Sequence, residues 1–373
     1  MSEPTRVLQV FGGLTLGGAE SRIMDIYRNI DRTQMQFDFV VHNTREDYYN
    51  EEVRSLGGHI FRIPRFQFYN IMTYRKAWKN LFKEHPEFLA VHGHMTSTAA
   101  IYLPIAKKCG VPMTIAHARS AGTDPGLKGI LTRWLRKNLY SKADYCLACS
   151  SIAGNAVFGE QNVEKGKIQI IPNAIEIDHY LYQETIREKI RKEYDLQDAF
   201  VIGHVGRFHY AKNHTFLLDI FAKLAEQKAN AKLLLLGEGA LMPEIKEKAK
   251  TLGIADKVIF AGNHANVGDF YQAMDYLVFP SHFEGLPGTV VEAQAAGLRC
   301  LISDTITAEV VVTDLVTVLS LQESASTWAE YVLAHSDYDR TQEVSALKAA
   351  GFDVKTQVQK LQDFYRGKRE RIL

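Results

Sequence analysis

Residues 279–304 read FPSHFEGLPGTVVEAQAAGLRCLISD. The apolar run Tyr276-Leu277-Val278-Phe279 enters this stretch and stops at Pro280-Ser281, the pattern of a buried strand leaving a sheet. A loop with Glu284, Gly285, Leu286, Pro287 and Gly288 follows. Residues 289–296 have helix-forming composition and stop at Gly297, a glycine cap. Residues 299–302 are the next strand. A helix that starts after a glycine loop offers unpaired backbone N–H groups and a partial positive charge, so it suits an anion. Two glutamates flank that start, Glu284 in the loop and Glu292 inside the helix. At an anion site, carboxylates must bond something neutral and hydroxylated, such as a sugar ring or a ribose.

The same punctuation recurs upstream. Residues 200–206 form a strand ending at Gly206, with Arg207 next and Lys212-Asn213 opening a helix over 214–227. Asn213 is suited to cap that helix. Residues 232–236 lead to Gly237, and 257–260 lead to Gly262-Asn263. Both are strands followed by loops, and Gly237 is expected to let the backbone approach a ligand.

The first half begins with a strand at 6–11, then a loop with Gly17-Gly18, then a helix over 21–30. A glycine loop between a first strand and its helix is where a doubly wound sheet binds phosphate. The spacing is not G-x-G-x-x-G, so the dinucleotide fingerprint is absent. Further strands are expected at 36–42, 59–63, 88–92, 113–117, 144–149 and 168–171, with helices between them. This alternation predicts an α/β chain with mainly parallel sheets covered on both faces. Ligands then bind beyond the carboxyl ends of the strands. Two of those ends carry histidine: His92 with His94 following, and His117.

Glu284 and Glu292, inside F-E-G-L-P-x5-E-A-x-A-x-G, resemble the donor-site signature of retaining nucleotide-sugar glycosyltransferases of the GT-B fold, and most closely glycosyltransferase family four. The resemblance implies two Rossmann-like domains with an interdomain cleft. Their bounds are expected at 1–184 and 185–351, with the terminal segment 352–373 packing back on the first. It implies that Glu284 bonds the donor sugar and Glu292 the ribose hydroxyls. Gly285 and Gly288 place backbone N–H groups on the phosphate, and Leu286 lies in the same loop. G-R-x4-K-N, with Gly206, Arg207 and Lys212, resembles the family's diphosphate clamp. Its fixed cations would meet the charge that grows on the leaving group. The loop at Asn263 would hold the base through backbone groups. The Gly17-Gly18 loop would lie near the diphosphate and the acceptor. His117, in T-I-A-H-A-R-S, resembles the histidine beside the transferred sugar. Alone, a strand-end histidine is ordinarily structural. His94 is expected to face the acceptor, and Arg119 to meet an acceptor phosphate.

With 373 residues the chain is long enough for two domains. Its net charge of +1 carries no nucleic-acid footprint. Residues 1–184 hold 22 Lys+Arg and 18 Asp+Glu, a balance of +4; residues 185–373 hold 22 and 25, a balance of −3. Four cysteines are too few for a disulfide framework. Cys146 and Cys149 stand as one C-x-x-C, without the second pair zinc needs, and read as buried reduced thiols. No signal peptide or membrane span is visible, so the expected location is cytoplasmic. Residues 127–142 place Leu127, Ile130, Leu131, Trp134, Leu135 and Leu139 near helical spacing, with Lys128, Arg133, Arg136, Lys137 and Lys142 mostly off the stripe. With the aromatic and arginine run at 62–69, this makes peripheral contact with an anionic membrane an expectation to test. Asp337-Tyr338-Asp339 is read as helix capping, and no metal or other cofactor is expected.

The function so implied is retaining transfer of a sugar from a nucleotide diphosphate, UDP by preference. The acceptor is a hydroxyl of a lipid-linked or oligosaccharide partner, in cell-surface polysaccharide assembly. The alternatives are a GT-B nucleotide-sugar epimerase and a non-catalytic nucleotide-sugar-binding protein. A glycosidase would have no use for cations beside its carboxylates.

Overall fold

The computed structural model describes residues 3–120, 122 and 127–372. The chain divides into two compact units, residues 1–174 with 354–373, and residues 175–353. Unit 1 holds β1 (Thr5–Val10), β2 (Met35–Val41), β3 (Ile60–Arg62), β4 (Phe88–Gly93), β5 (Met113–Ala118), β6 (Tyr145–Ala148) and β7 (Gln169–Ile170). They form one sheet in the order β3-β2-β1-β4-β5-β6-β7, every pair parallel. Unit 2 holds β8 (Phe200–Val205), β9 (Ala231–Leu236), β10 (Val258–Gly262), β11 (Tyr276–Phe279), β12 (Cys300–Ser303) and β13 (Val316–Leu319). Their order is β10-β9-β8-β11-β12-β13, again all parallel. Both are Rossmann-like, and the fold is GT-B.

A parallel sheet must be covered on both faces, and its strands show it. All seven residues of β2 are buried. One of them, Asp38, accepts from Arg6 Nε at 2.6 Å and from the His59 backbone N–H at 2.7 Å, so its buried carboxylate is paired. The helix Gly18–Asn29 covers one face with Ile23, Met24, Ile26 and Tyr27. The last helix, Val354–Tyr365, packs on it and buries Val354, Val358, Leu361 and Tyr365 along one stripe. In unit 2 the helices His214–Gln227 and Ala325–Ala334 pack together over the sheet through Leu217, Phe221, Leu224 and Trp328.

The orders decide where ligands can go. In each sheet the chain winds one way, returns to the centre and winds the other way. The reversal lies between β1 and β4 in unit 1 and between β8 and β11 in unit 2. The loops leaving a reversal point diverge and open a crevice at the carboxyl ends. Gly12 to Gly18 and His94 follow the first pair. Arg207, Lys212 and Glu284 follow the second.

Two sequence expectations differ from the structure, and one strand had no expectation. The edge strand β13 was not read; it closes the sheet beside β12. Unit 2 begins at Ile175 rather than 185. Ile175 N–H donates to Phe352 O at 2.9 Å, and the helix Glu184–Glu193 is fastened to unit 2 by Arg187 on Asp275 at 2.6 Å. Asp337 and Asp339 cap no helix, since the following helix, Val344–Ala349, has Glu343 at its cap position. The residue between them does the structural work: Tyr338 OH donates to Asp275 O and accepts from Arg299 N–H, both at 3.0 Å.

Gly237 has φ +131°, and a Cβ there would stand 2.2 Å from Gly206 O. Gly237→Ala is therefore expected to cost about 2 kcal/mol or more. Urea unfolding measures it; a loss under about 0.5 kcal/mol would show the loop free to move aside.

Candidate functional site

The loops after β8 and β11 are tied across the reversal point of unit 2. Asn213 Nδ2 donates to Pro280 O at 3.1 Å, and His282 N–H donates to Ala211 O at 2.8 Å. Thr289 Oγ1 donates to Val205 O at 3.4 Å. Asn213 sits at φ +51°, and its side chain accepts from Phe216 N–H, capping the helix as expected. These ties hold Lys212 where its Nζ lies 2.7 Å from Glu284 Oε1 and 4.5 Å from the centre of the Phe279 ring. The approach lacks hydrogen-bond geometry, so the pair is ionic. Gly206 leaves room for this lysine; a Cβ there would press its aliphatic stem at 3.0 Å. Arg207 is exposed and makes no ion pair with any described residue.

The helix Gly288–Ala295 begins beside this pair, with Pro287 at its cap position and no side-chain cap. Gly285 and Leu286 are buried in the loop before it. Glu292 lies in the second turn, only 8% exposed, and accepts from Tyr271 OH at 2.7 Å. Burial and then the Glu292 charge hold that phenol protonated, its pKa well above the ordinary value. Gly237 and Asn263 are neighbours, because Gly237 N–H donates to Gly262 O at 2.8 Å. Gly237 answers the backbone of Gly206, so the close approach it permits is to the chain itself. Asn263 is exposed.

In unit 1, Gly17 caps the helix Gly18–Asn29 without a side-chain bond, and a Cβ at Gly18 would meet nothing within 4 Å. His92 on β4, His94 just after it and His117 on β5 stack face to face or tilted at 4.4 to 5.4 Å between centres. Burial pushes all three well below the ordinary imidazole value, so they are neutral. His92 Nε2 and His117 Nδ1 are 2.9 Å apart. Arg119 Nε donates to His94 Nδ1 at 3.2 Å, and its Nη1 donates to Asn173 Oδ1 at 2.7 Å. His92, His117 and Arg119 line a small opening with Pro172 and Gln357.

Residues 186–341 match the family model described as glycosyl transferases group 1, and residues 16–179 the one described as Glycosyltransferase Family 4. EpsF of Bacillus subtilis (strain 168), named as a glycosyltransferase, is 34% identical over 93% of this chain and 96% of its own. The chain belongs to glycosyltransferase family four. A Campylobacter jejuni relative is 27% identical over 62% of this chain and 61% of its own. It is named N-acetylgalactosamine-N,N'-diacetylbacillosaminyl-diphospho-undecaprenol 4-alpha-N-acetylgalactosaminyltransferase. Anabaena Alr3699/HepE, crystallised in complex with UDP, superposes with a TM-score of 0.79 at 17% identity, over 97% of this chain and 100% of that one.

Sequence reasoning on this glycosyltransferase missed Tyr271 and Tyr365, whose hydroxyls bond Glu292 and His92. Neither carries a local motif; the last helix was visible, but the partner of its tyrosine was not. The histidines under the Lys212 loop were passed over as well. His214 stacks on Phe208 at 4.1 Å, and burial and then Lys212 lower its pKa to about 4. A histidine neutral in the fold but free to charge when unfolded stabilises fully above pH ~6.5. That contribution, about 3 kcal/mol for a shift this large, is lost as pH falls through 6.5 towards 4. His214→Phe keeps the stack and removes the proton site. Its urea stability should fall less steeply over that range than the parent's; an equal slope would refute the assignment.

Proposed function

We propose that this glycosyltransferase moves a hexose from a UDP-sugar to a hydroxyl of a lipid-linked or oligosaccharide acceptor, with retention, in cell-surface polysaccharide synthesis. The observation that carries the reading is the Lys212–Glu284 pair at the reversal point of unit 2, beside an uncapped helix start and the exposed Arg207. Arg207 and Lys212 take the diphosphate, as a bidentate fork and a point charge. Their fixed charge stabilises the leaving group as the glycosidic bond breaks. Glu284 then bonds the sugar, Glu292 the ribose, and the loop at Asn263 the base. For unit 1 we assign His117 to a sugar hydroxyl, Gly17 and Gly18 to phosphate, and His94 and Arg119 to the acceptor.

Retention follows when a leaving phosphate oxygen takes the acceptor's proton on the face where the new bond forms. We assign charge stabilisation to the two cations, and no role to a metal. The UDP in Anabaena HepE supports the nucleotide, and the diphospho-undecaprenol in the Campylobacter name supports a lipid-linked acceptor.

Membrane contact belongs to the same reading. Among the described residues no helix is long and apolar enough to cross a bilayer. Ile130 and Trp134 are exposed on the helix Leu127–Arg136, and Phe68, Tyr69 and Met72 are exposed near the start of the helix Ile71–Glu84. The side chains of Leu127 and Lys128 lie outside the described residues. Trp134→Glu is expected to abolish pelleting with anionic vesicles while transfer to a soluble acceptor persists; negligible pelleting of the parent would reject membrane contact.

A thermal-shift panel of nucleotide sugars should single out a UDP-sugar, and transfer from it should then be measured by product anomer. Glu284→Ala and Arg207→Ala should each lower kcat by roughly 100-fold or more with the fold intact. Unchanged turnover in either would remove that residue from the mechanism, and an inverted product would remove retention.

A further inference from the structure

The histidine cluster of unit 1 is one hydrogen-bonded chain, and its ends are unequal. Arg119 Nε must donate, because a guanidinium has no acceptor. His94 Nδ1 therefore carries a lone pair, and the His94 proton sits on Nε2, 2.9 Å from Gln9 Oε1. That turns the Gln9 amide so that its Nε2 donates to Tyr365 OH at 3.4 Å. The buried phenol needs an acceptor of its own, and among the described residues it has one: His92 Nδ1, at 2.5 Å. His92 then carries its proton on Nε2 and donates to His117 Nδ1 at 2.9 Å. The His117 proton is left on Nε2. That nitrogen is buried and has no partner among the described residues.

We infer that Tyr365, with Gln9 and His92 behind it, is a positioning residue that locks His117 in its Nε2–H tautomer, as a neutral donor to a substrate hydroxyl. The role in transfer rests on the function proposed above; the direction of the chain does not. Every link is set by its neighbour, from a terminus that cannot reverse. His117 in this form cannot act as a base at either nitrogen: Nδ1 is already accepting, and Nε2 holds the proton. An unpaired donor inside the protein carries a desolvation cost, which a sugar hydroxyl would relieve. Tyr365 stands on the last helix, Val354–Tyr365, so the final segment of the chain reaches the site through its hydroxyl.

A metal is the rival for these rings, since ligand atoms of His92, His94 and His117 all lie within 4.8 Å of one another. Five of their six ring nitrogens are already engaged, and Arg119 places a cation against His94. The hydrogen-bonded form therefore fits the geometry better.

The test is long-range proton–nitrogen NMR on the full-length protein labelled with 15N-histidine, with His117→Gln to assign the signals. The wild type should show His117 protonated at Nε2 and bare at Nδ1 at neutral pH. Protonation at Nδ1, or stoichiometric zinc in the purified protein, would overturn the inference without recourse to any variant. Tyr365→Phe should let both His117 tautomers appear, and should lower kcat by about tenfold with the donor KM within about twofold. Loss of packing alone would lower the melting temperature without moving the proton. A His117 signal unchanged in Tyr365→Phe would overturn the positioning role. A tautomer shift in a protein that transfers no sugar would instead sink the proposed function and leave the chain standing.

Discussion

A strand in a parallel sheet has both faces buried, and all its neighbours point the same way. Each connection must therefore cross back over a face, and every strand delivers its following loop to one edge. This constraint gathers the chemistry of each unit. β8 and β11 pair directly although some seventy residues separate them, and the loops they release diverge. Lys212 and Glu284 meet because those two loops share the reversal point. The ties from Asn213 to Pro280 and from His282 to Ala211 are polar links across that divergence. Gly206 and Gly237 are glycines for the same reason, since two loop backbones and a lysine stem crowd the ends of adjacent strands.

The ion pair formed there balances the Lys212 charge against that of Glu284. Both side chains are largely shielded, 18% and 15% exposed, and either alone would be a poorly solvated charge. A diphosphate arriving at Lys212 offers a stronger counter-charge than one carboxylate does. On the proposed reading the exchange releases Glu284 to accept from sugar hydroxyls, so nucleotide and sugar recognition become linked through one lysine. The Phe279 ring, 4.5 Å from the ammonium, adds an attraction that does not depend on the carboxylate.

Much of this was legible in the sequence, and the reason is periodicity. Short apolar runs broken by Gly, Pro and Asn marked both sheets, with boundaries shifted by a residue or two, as for β2 and β5. The glutamate loop and the Gly206–Asn213 segment could be read because their spacing is local. β13 escaped notice because an edge strand of four residues barely differs from loop. The unit boundary moved because Ile175 bonds Phe352 while Tyr180 and Gln183 bond Gln272, all partners distant in sequence. Tyr271 and Tyr365 escaped for the same reason. A buried tyrosine in a helix reads as core, and only the fold shows that its hydroxyl ends on Glu292 or His92.

On the proposed reading, the two units solve opposite electrostatic problems. A pyrophosphate carries formal charge, and unit 2 would meet it with the exposed Arg207 and with Lys212, whose shielded charge is balanced by Glu284. A sugar hydroxyl is neutral, and a buried cation would be a costly donor for it. Unit 1 answers with imidazoles that burial keeps uncharged. The one cation among them, Arg119, is brought down to about 10, still protonated at neutral pH, and its charge discourages protonation of His94 and His117. Arg119 thus acts on the cluster twice, opposing extra protons and setting the direction of those present. A neutral histidine that lost its fixed tautomer would offer a lone pair where a hydrogen is needed, so the ordering of the chain matters as much as its lack of charge.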